Sequence, residues 1–270
     1  MTGKSKYLGT NFARYTARLL IHYFHLILPF NTNFIAQNTI VLRNLIVLTG
    51  AGMSSESGIR TFRDTGGLWE EYDVTEVATP DAWMRNRDLV LRFYNERRTQ
   101  LSECKPNSGH KGLAALEKYF NVHIITQNID NLHERAGSTR VLHLHGEITK
   151  ARSTADPTLI YDIGYSDIRP GDKCELGSQL RPHIVWFGEP VPMMEEAVRI
   201  TRTADIFAVI GSSLNVYPAA GLIEYAPVHA SLWLIDPKEV YAPVSRQIEI
   251  IREPATKGVE ILTERLLGLR

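Results

Sequence analysis

Residues 47–63, VLTGAGMSSESGIRTFR, have the composition of a turn that binds nucleotide phosphates. The apolar run ends at Gly50-Ala51-Gly52, where glycines let backbone N–H groups approach a pyrophosphate closely. Ser54 and Ser55 follow where the third glycine of a hydride-transfer fingerprint would open a helix, which argues against hydride transfer. A G-x-G turn alone is a weak signal, and an ordinary turn between a strand and a helix explains it nearly as well.

Residues that follow this turn strengthen the phosphate interpretation. Phe62 and Arg63 put an aromatic ring and a cation on a loop flanked by glycines, which suits a lid over phosphate and ribose. Trp69, further along the same loop, belongs to the predicted nucleotide-binding set.

The stretch TQNIDNLHERAG, residues 126–137, follows an apolar run with three polar side chains, Gln127, Asn128 and Asp130. Burying such groups costs several kcal/mol unless each is paired. A helix N-cap formed by Asn128 or Asp130 would account for one of the three. An amide ligand, such as a nicotinamide carboxamide, would satisfy the others.

Two histidines, His143 and His145, stand two positions apart in VLHLHGE, residues 141–147. A lone histidine is more often structural than catalytic. His145 adjoins Gly146 at the predicted strand end, and an unperturbed pKa near ~6.5 suits proton abstraction at neutral pH. We predict that His145 is a general base and that His143 is structural.

Tyr94 and Arg97 lie three residues apart in LVLRFYNERRTQ and share one face of a predicted helix. A tyrosine hydroxyl and an arginine fork can grip a carboxylate. An exposed basic helix explains the same spacing equally well, since Arg92 and Arg98 are neighbours.

The elements that must position these residues alternate between short apolar runs and helix-like stretches. Most runs are nearly continuous in apolar residues, as expected for strands buried on both faces. We predict an α/β fold, a Rossmann-like doubly wound parallel sheet with a smaller inserted module. Ligands bind at the carboxyl ends of such strands, so the polar strand ends should converge on one crevice. The predicted strands are LIVLTG, VHIITQN, VLHLHGE, PHIVWFGE, IFAVIGSS, LWLIDP and QIEIIREP.

Two regions break the alternation. Residues 66–106 carry helical patterns without a clear strand, and residues 148–181 are polar and rich in Gly, Pro, Ser and Asp. A structureless loop of that length is improbable inside a compact domain, so both regions should build the smaller module. The predicted Rossmann-like core then comprises residues 44–65, 107–147 and 182–270 of a catalytic domain spanning 44–270.

The charge balance and the cysteine count of the chain limit which partners and which cellular compartment are expected for the protein. The 270 residues contain 30 Lys+Arg and 30 Asp+Glu, a balance that argues against a broad nucleic-acid-binding face. The two cysteines exclude a disulfide framework and favour a reducing, cytoplasmic compartment. Residues 1–43 lack acidic residues and contain an apolar run too short to span a bilayer. We expect a poorly ordered extension there, and no membrane partner.

Five stretches, in chain order, resemble the sirtuins, the NAD-dependent protein lysine deacylases. The resemblance covers residues 44–267 and implies that NAD binds in an inverted manner suited to nicotinamide cleavage. The stretches are GAGMSSESGIRTFR, TQNIDNLHERAG, HLHGE, RPHIVWFGE and GSS.

The resemblance also implies residue roles. Asn128 and Asp130 hold the ribose and carboxamide so that nicotinamide can leave, and His145 deprotonates a ribose hydroxyl. Asp236 stands where family members often carry Asn at the adenosine ribose, and Ala255 lies near adenine. The catalytic residues are His145 and Asn128. The cofactor-binding residues are Gly50, Ala51, Gly52, Ser54, Phe62, Arg63, Trp69, Gln127, Asn128, Ile129, Asp130, Gly211, Ser212, Ser213, Asp236 and Ala255.

For the substrate, the resemblance extends to the desuccinylase-type members. Tyr94 and Arg97 match their Y-x-x-R pair, and Ala78 matches a small residue that leaves room for a long acyl tail. Residues 185–188, including Val185 and Phe187, should pair with the substrate backbone as an added strand. The implied activity removes acetyl and succinyl, with malonyl as a further candidate, from protein lysines. An ADP-ribosyltransferase and a catalytically silent NAD sensor are the alternatives.

The sequence departs from the family at its structural zinc site. Sirtuins usually hold zinc with four cysteines, whereas residues 148–181 contain only Cys174, and Ser153 stands where a first ligand is expected. No histidine lies between His145 and His183. Tetrahedral zinc needs four ligands, so we predict that zinc is absent.

Overall fold

The computed structural model describes residues 42–60, 72–242 and 244–268. The predicted lid residues Phe62, Arg63 and Trp69 lie outside these ranges, and so does most of the predicted extension, residues 1–41.

A six-stranded parallel sheet forms the centre of the described chain, as predicted. The strand order is β3-β2-β1-β7-β8-β9, so the order reverses between β1 and β7, where doubly wound sheets bind ligands. The strands of this sheet are β1 (Asn44–Thr49), β2 (Asn121–Thr126), β3 (Val141–His143), β7 (Ile206–Ile210), β8 (Ser231–Ile235) and β9 (Glu249–Ile251).

Strand alternation explains why the sheet has a core on each face. In β1, Leu45 and Val47 belong to one apolar cluster, whereas Ile46 and Leu48 belong to another. All four side chains are fully buried, as the continuous apolar run predicted.

Polar residues begin several of the helices. The side chain of Asn86 accepts from Leu89 N–H at 3.1 Å, and the side chain of Asn107 accepts from His110 N–H at 3.1 Å. The helices are α1 (Gly52–Ser55), α2 (Val74–Val77), α3 (Pro80–Arg85), α4 (Arg87–Glu103), α5 (Ser108–Leu116), α6 (Leu132–Arg135), α7 (Met194–Thr201), a 3₁₀ helix (Ala219–Tyr225) and α8 (Ala255–Leu266). None of the described helices is long and apolar enough to cross a membrane.

The inserted module contains a three-stranded antiparallel sheet of order β5-β4-β6. Its strands are β4 (Gly146–Ser153), β5 (Ile160–Asp162) and β6 (Leu180–Ile184). The predicted smaller module is therefore confirmed, and residues 148–181 contribute most of β4, all of β5 and the start of β6 to it. In β4, the outward Glu147, Lys150 and Arg152 alternate with buried residues, and these charged side chains hide the strand pattern.

A third apolar cluster joins the two predicted insertions. It combines side chains of α2, α3 and α4 with Ile148 and Ala151 of β4 and Ile184 of β6. The helical region and the small sheet thus share one core.

Two predicted strands end earlier than their apolar runs. The run from 182 to 189 leaves the sheet after Ile184, and it belongs to the antiparallel sheet rather than the parallel one. The run from 141 to 147 is divided, because β3 ends at His143 and β4 begins at Gly146. Gly146 has φ 81°, a backbone conformation that favours glycine, and this allows the turn from one sheet to the other.

Candidate active site

A cavity of about 540 Å³ lies at the carboxyl ends of β1, β2, β7 and β8 and reaches α4 and residues 185–189. It brings together every predicted site residue that the structure describes. These are Gly50, Ala51, Gly52, Ser54, Ala78, Tyr94, Arg97, Gln127, Asn128, Ile129, Asp130, His145, Val185, Phe187, Gly211, Ser212, Ser213, Asp236 and Ala255.

The glycine turn after β1 packs directly against the turn after β7. Gly52 N–H donates to Gly211 O at 2.9 Å, and a Cβ added to Gly52 would lie 2.7 Å from Gly211 Cα. A Cβ added to Gly50 would lie 2.7 Å from Gly211 O. These glycines are therefore required for close backbone contact between two turns, a reason that a phosphate motif alone does not supply.

Asn128 is oriented by the backbone of the glycine turn. Its Nδ2 donates to Gly50 O at 3.0 Å and to Ser54 Oγ at 3.1 Å. Because a carbonyl oxygen only accepts, these bonds fix the amide orientation and leave Oδ1 as the atom that can meet a ligand.

Asp130 is buried and held by two donors. Its Oδ2 accepts from Ser54 Oγ at 2.9 Å, and its Oδ1 accepts from Leu132 N–H at 3.0 Å. Burial raises the pKa of Asp130, and these two hydrogen bonds oppose the rise. The protein therefore supplies a partner for each carboxylate oxygen of Asp130.

The ring of His145 has a defined tautomer. Its Nδ1 lies 2.9 Å from the Gln127 carbonyl oxygen, so Nδ1 carries a hydrogen and Nε2 is the acceptor nitrogen of the neutral ring. Burial lowers the pKa of His145, although the bond to Gln127 opposes this effect. The ring is therefore neutral at neutral pH, and Nε2 can take a proton.

His143 has a different environment. Its Nδ1 lies 3.1 Å from Asn128 O and its Nε2 lies 2.7 Å from Glu134 Oε1. Both partners only accept, so both bonds form when the ring is a cation. Burial lowers the pKa of His143, but the hydrogen bond and charge of Glu134 outweigh burial and raise it overall.

Tyr94 and Arg97 line the end of the cavity formed by α4. Tyr94 is 3% exposed, and burial raises its pKa to about 12. Burial also lowers the pKa of Arg97 to about 10, so the guanidinium remains charged at neutral pH. The alternative of an exposed basic helix face is wrong for this region, because Arg98 is 0% exposed.

The turns after β7 and β8 line the opposite part of the cavity. Ser212 Oγ accepts from Gln127 Nε2 at 2.9 Å, which joins the turns after β2 and β7. Asp236 Oδ1 accepts from Lys238 N–H at 2.9 Å, and Ala255 is buried at the first position of α8.

Sequence reasoning missed several residues that line the cavity. Trp186 lay inside a quoted motif, yet its apolar character suggested only a strand. The polar residues after β8 follow the strand-end pattern and could have been included on that ground. The missed residues include Asn215, Tyr217, Lys238, Glu239 and Trp186.

Comparison with known proteins places the chain among proteins of the same architecture. The Sir2 family model matches residues 50–218. A relative from Bacteroides thetaiotaomicron, named NAD-dependent protein deacylase, is 56% identical over 234 residues, which cover 84% of this chain and 99% of the relative. A relative of the same name from Escherichia coli (strain K12) is 44% identical over 234 residues, covering 80% of this chain and 83% of the relative.

The chain belongs to the Sir2 family.

Solved Sir2 structures share the fold across most of this chain. A Sir2 homologue mutant in complex with ADP-ribose has a TM-score of 0.77 and 36% identity, covering 85% of this chain and 95% of its own. A Sir2 homologue in complex with NAD has a TM-score of 0.75 and 35% identity, covering 84% of this chain and 91% of its own.

The residues of this Sir2 chain do not fit the four-cysteine zinc site that the sirtuin resemblance implies. Cys174 Sγ donates to Ser153 Oγ at 3.2 Å, so the side chain next to this thiol is a serine and not a second cysteine. The described residues contain no group of three or more His, Cys, Asp or Glu side chains that could hold a metal ion. Ser153 Oγ also accepts from Ala155 N–H at 3.0 Å and therefore acts as a turn-forming group.

Proposed function

We propose that this Sir2 protein removes acyl groups from lysine side chains of proteins in an NAD-dependent reaction. The observation that carries the proposal is the presence of His145, Asn128 and the Tyr94–Arg97 pair along one cavity. The relatives named NAD-dependent protein deacylase support the same reaction. The proposed acyl groups are acetyl and succinyl, with malonyl third.

NAD fits the strand-end half of the cavity. When bound, it supplies a ribose carbon that loses nicotinamide and then accepts the acyl group, giving O-acyl-ADP-ribose. Gly50 and Gly52 line that half, and a Cβ on either would collide with the backbone at Gly211. We assign the phosphates to the turn at Gly211 and Ser212, and the adenosine to Asp236 and Ala255.

Two side chains prepare the nicotinamide end. Asn128 offers Oδ1, because its Nδ2 is held by Gly50 O and Ser54 Oγ. The Asp130 carboxylate is kept in place by Ser54 and the Leu132 N–H. These groups orient the ribose and carboxamide without having to reorganise when ligand binds.

His145 acts as the general base. Its Nδ1 is held by Gln127 O, so Nε2 is the nitrogen that removes a proton from a ribose hydroxyl. The lowered pKa keeps that nitrogen unprotonated at neutral pH.

The acyl chain extends towards α4. Ala78 adds little volume there, and Arg97 with Tyr94 can hold a carboxylate at the tip of the chain. Residues 185–188 remain our proposed partner for the peptide backbone. Three of their N–H groups are already bonded: Val185 donates to His145 O at 2.9 Å, Trp186 donates to Glu189 Oε2 at 2.8 Å, and Phe187 donates to Ala78 O at 3.0 Å.

A peptide assay tests this proposal. Matched acetyl-, succinyl- and malonyl-lysine peptides are incubated with and without NAD, and the products are identified by mass spectrometry. We expect free lysine, nicotinamide and O-acyl-ADP-ribose only when NAD is present. ADP-ribose attached to protein or peptide would instead indicate an ADP-ribosyltransferase, and NAD binding without turnover would indicate a sensor; either result contradicts the proposal.

A further inference from the structure

Trp186 lies just beyond β6 and contacts a guanidinium, a second tryptophan ring and a glutamate. Its ring is 2% exposed, and the Arg181 guanidinium lies over it at 3.2 Å from the ring centroid. The ring of Trp83 packs beside it with the centroids 5.7 Å apart. Its backbone N–H donates to Glu189 Oε2 at 2.8 Å.

The charged groups around Trp186 are themselves fixed. Glu189 pairs with Arg181 at 2.7 Å and with Arg152 at 3.2 Å. Arg181 also donates to Ile184 O at 2.9 Å, which joins the guanidinium to β6. The indole therefore has little freedom to rotate, because its stacking partner is anchored at several points.

The indole edge reaches across the module to α4. Trp186 Nε1 donates to the Tyr94 hydroxyl oxygen at 3.0 Å, between residues 92 positions apart in sequence. An indole N–H can only donate, so the Tyr94 oxygen is the acceptor. Among the described residues, no acceptor receives the hydroxyl hydrogen of Tyr94, whose ring lines the cavity.

We infer that Trp186 is a specificity-determining positioning residue, which turns the Tyr94 hydroxyl so that it donates to a carboxylate at the tip of the acyl chain. The inference rests on the proposed function. Accepting from the indole occupies one side of the phenol oxygen and leaves the hydrogen for the cavity side. Tyr94 is then preset as a donor beside the Arg97 cation.

This role separates acyl groups by their chemistry. A succinyl chain ends in a carboxylate that accepts from both a hydroxyl and a guanidinium. The only acceptor of an acetyl group is its carbonyl oxygen, which the reaction itself uses. Loss of the indole donor should therefore affect succinyl substrates more than acetyl substrates.

The test is a double-mutant cycle on the full chain with Trp186→Phe and Tyr94→Phe. For each variant, kcat/KM is measured with NAD and matched succinyl and acetyl peptides, and their ratio is taken within one preparation. The ratio does not depend on the active fraction, so partial misfolding of a variant does not obscure it. We expect Trp186→Phe to lower the succinyl-to-acetyl ratio by about twofold to tenfold, the effect of one neutral hydrogen bond. In the Tyr94→Phe background the same change should leave the ratio unaltered.

Trp83→Phe is the matched control. It changes the same aromatic cluster by the same substitution but makes no hydrogen bond to Tyr94, so the ratio should stay at the wild-type value. An equal loss of both activities in Trp186→Phe, or the same fall in ratio without the Tyr94 hydroxyl, overturns the inference. Wild-type enzyme that deacetylates but does not desuccinylate overturns the proposed acid-acyl preference, and the inference falls with it. The two failures can be told apart, because failure of the acid-acyl proposal is seen in the wild-type enzyme, whereas failure of the Trp186 inference is seen only in the variants.

Discussion

His145 contacts the protein through one ring nitrogen and keeps the other for the substrate. Because its pKa is lowered from 6.5, the base is already unprotonated at neutral pH. We expect kcat/KM to rise from acid towards neutral pH and to level off, with the inflection below pH 6.5. The measurement is the pH profile of kcat/KM, which reports the free enzyme.

Two variants test that assignment. His145→Ala should lose activity by about 10²–10⁴-fold, the usual contribution of general acid–base catalysis. His229→Gln changes an exposed histidine and should leave the acidic limb where it is. An inflection above pH 7, or an acidic limb that moves with residue 229, would show that another group is titrating.

Arg97 provides the charge at the acyl end of the cavity. We expect Arg97→Met to lower kcat/KM for desuccinylation by roughly tenfold to a hundredfold while deacetylation is retained, since a charged hydrogen bond contributes about 1.5–3 kcal/mol. The measurement is kcat/KM for matched peptides. Arg92→Met alters an exposed arginine of the same helix and should change neither activity. Equal loss of both activities in Arg97→Met would refute carboxylate recognition.

At the scale of elements, the pair of His143 and Glu134 joins the end of β3 to α6. The folded-state pKa of His143 is raised above 6.5, so the pair stabilises the fold fully below pH 6.5. That contribution is lost as pH rises through the folded-state pKa. Glu134 is 40% exposed, so we expect less than about 1 kcal/mol after solvent screening.

A double-mutant cycle with His143→Gln and Glu134→Gln measures this coupling. Urea unfolding is followed at pH 6 and pH 9, and the coupling free energy should be present at the lower pH and vanish at the higher one. A coupling free energy that is equal at pH 6 and pH 9 would mean that the interaction with Glu134 does not require the cationic form of His143.

The strands of the parallel sheet could be predicted from sequence because burial on both faces leaves continuous apolar runs. The same rule made one predicted strand too long. Trp186 lies in an apolar run, but its ring packs under the Arg181 guanidinium and the residue is not part of a strand. The rule also missed β4, where three of the eight residues, Glu147, Lys150 and Arg152, are charged and less buried than their neighbours. Arg98 shows a related limit, because its Nε donates to Ile148 O at 2.8 Å within the core shared by α4 and β4. No local pattern marks an arginine as buried.

At the scale of the whole molecule, the position of the site follows from topology. The carboxyl ends of neighbouring parallel strands meet at one edge of the sheet, so polar residues at those ends could be assigned to one crevice from the sequence alone. The partners of those residues could not be assigned in this way. Trp186 and Tyr94 are 92 positions apart, and Ser54 and Asp130 are 76 apart, so their contacts depend on how the module packs on the sheet.

The small sheet must keep its shape with a single cysteine. Its apolar residues belong to the core shared with α2, α3 and α4, and Ser153 with Cys174 joins β4 to the segment before β6. We expect packing of that kind to stabilise the module without metal, because buried apolar area can supply free energy that zinc–thiolate bonds would otherwise provide.

We therefore predict that purified protein carries far less than one zinc per chain and that a chelator leaves its melting temperature unchanged. The measurements are elemental analysis after gel filtration and thermal unfolding with and without EDTA. Cys174→Ser is the matched variant, because a bound metal that depends on this thiol would be lost from it. One zinc per chain in the wild type, falling in Cys174→Ser, would mean that residues outside the described part of the chain complete a metal site with Cys174.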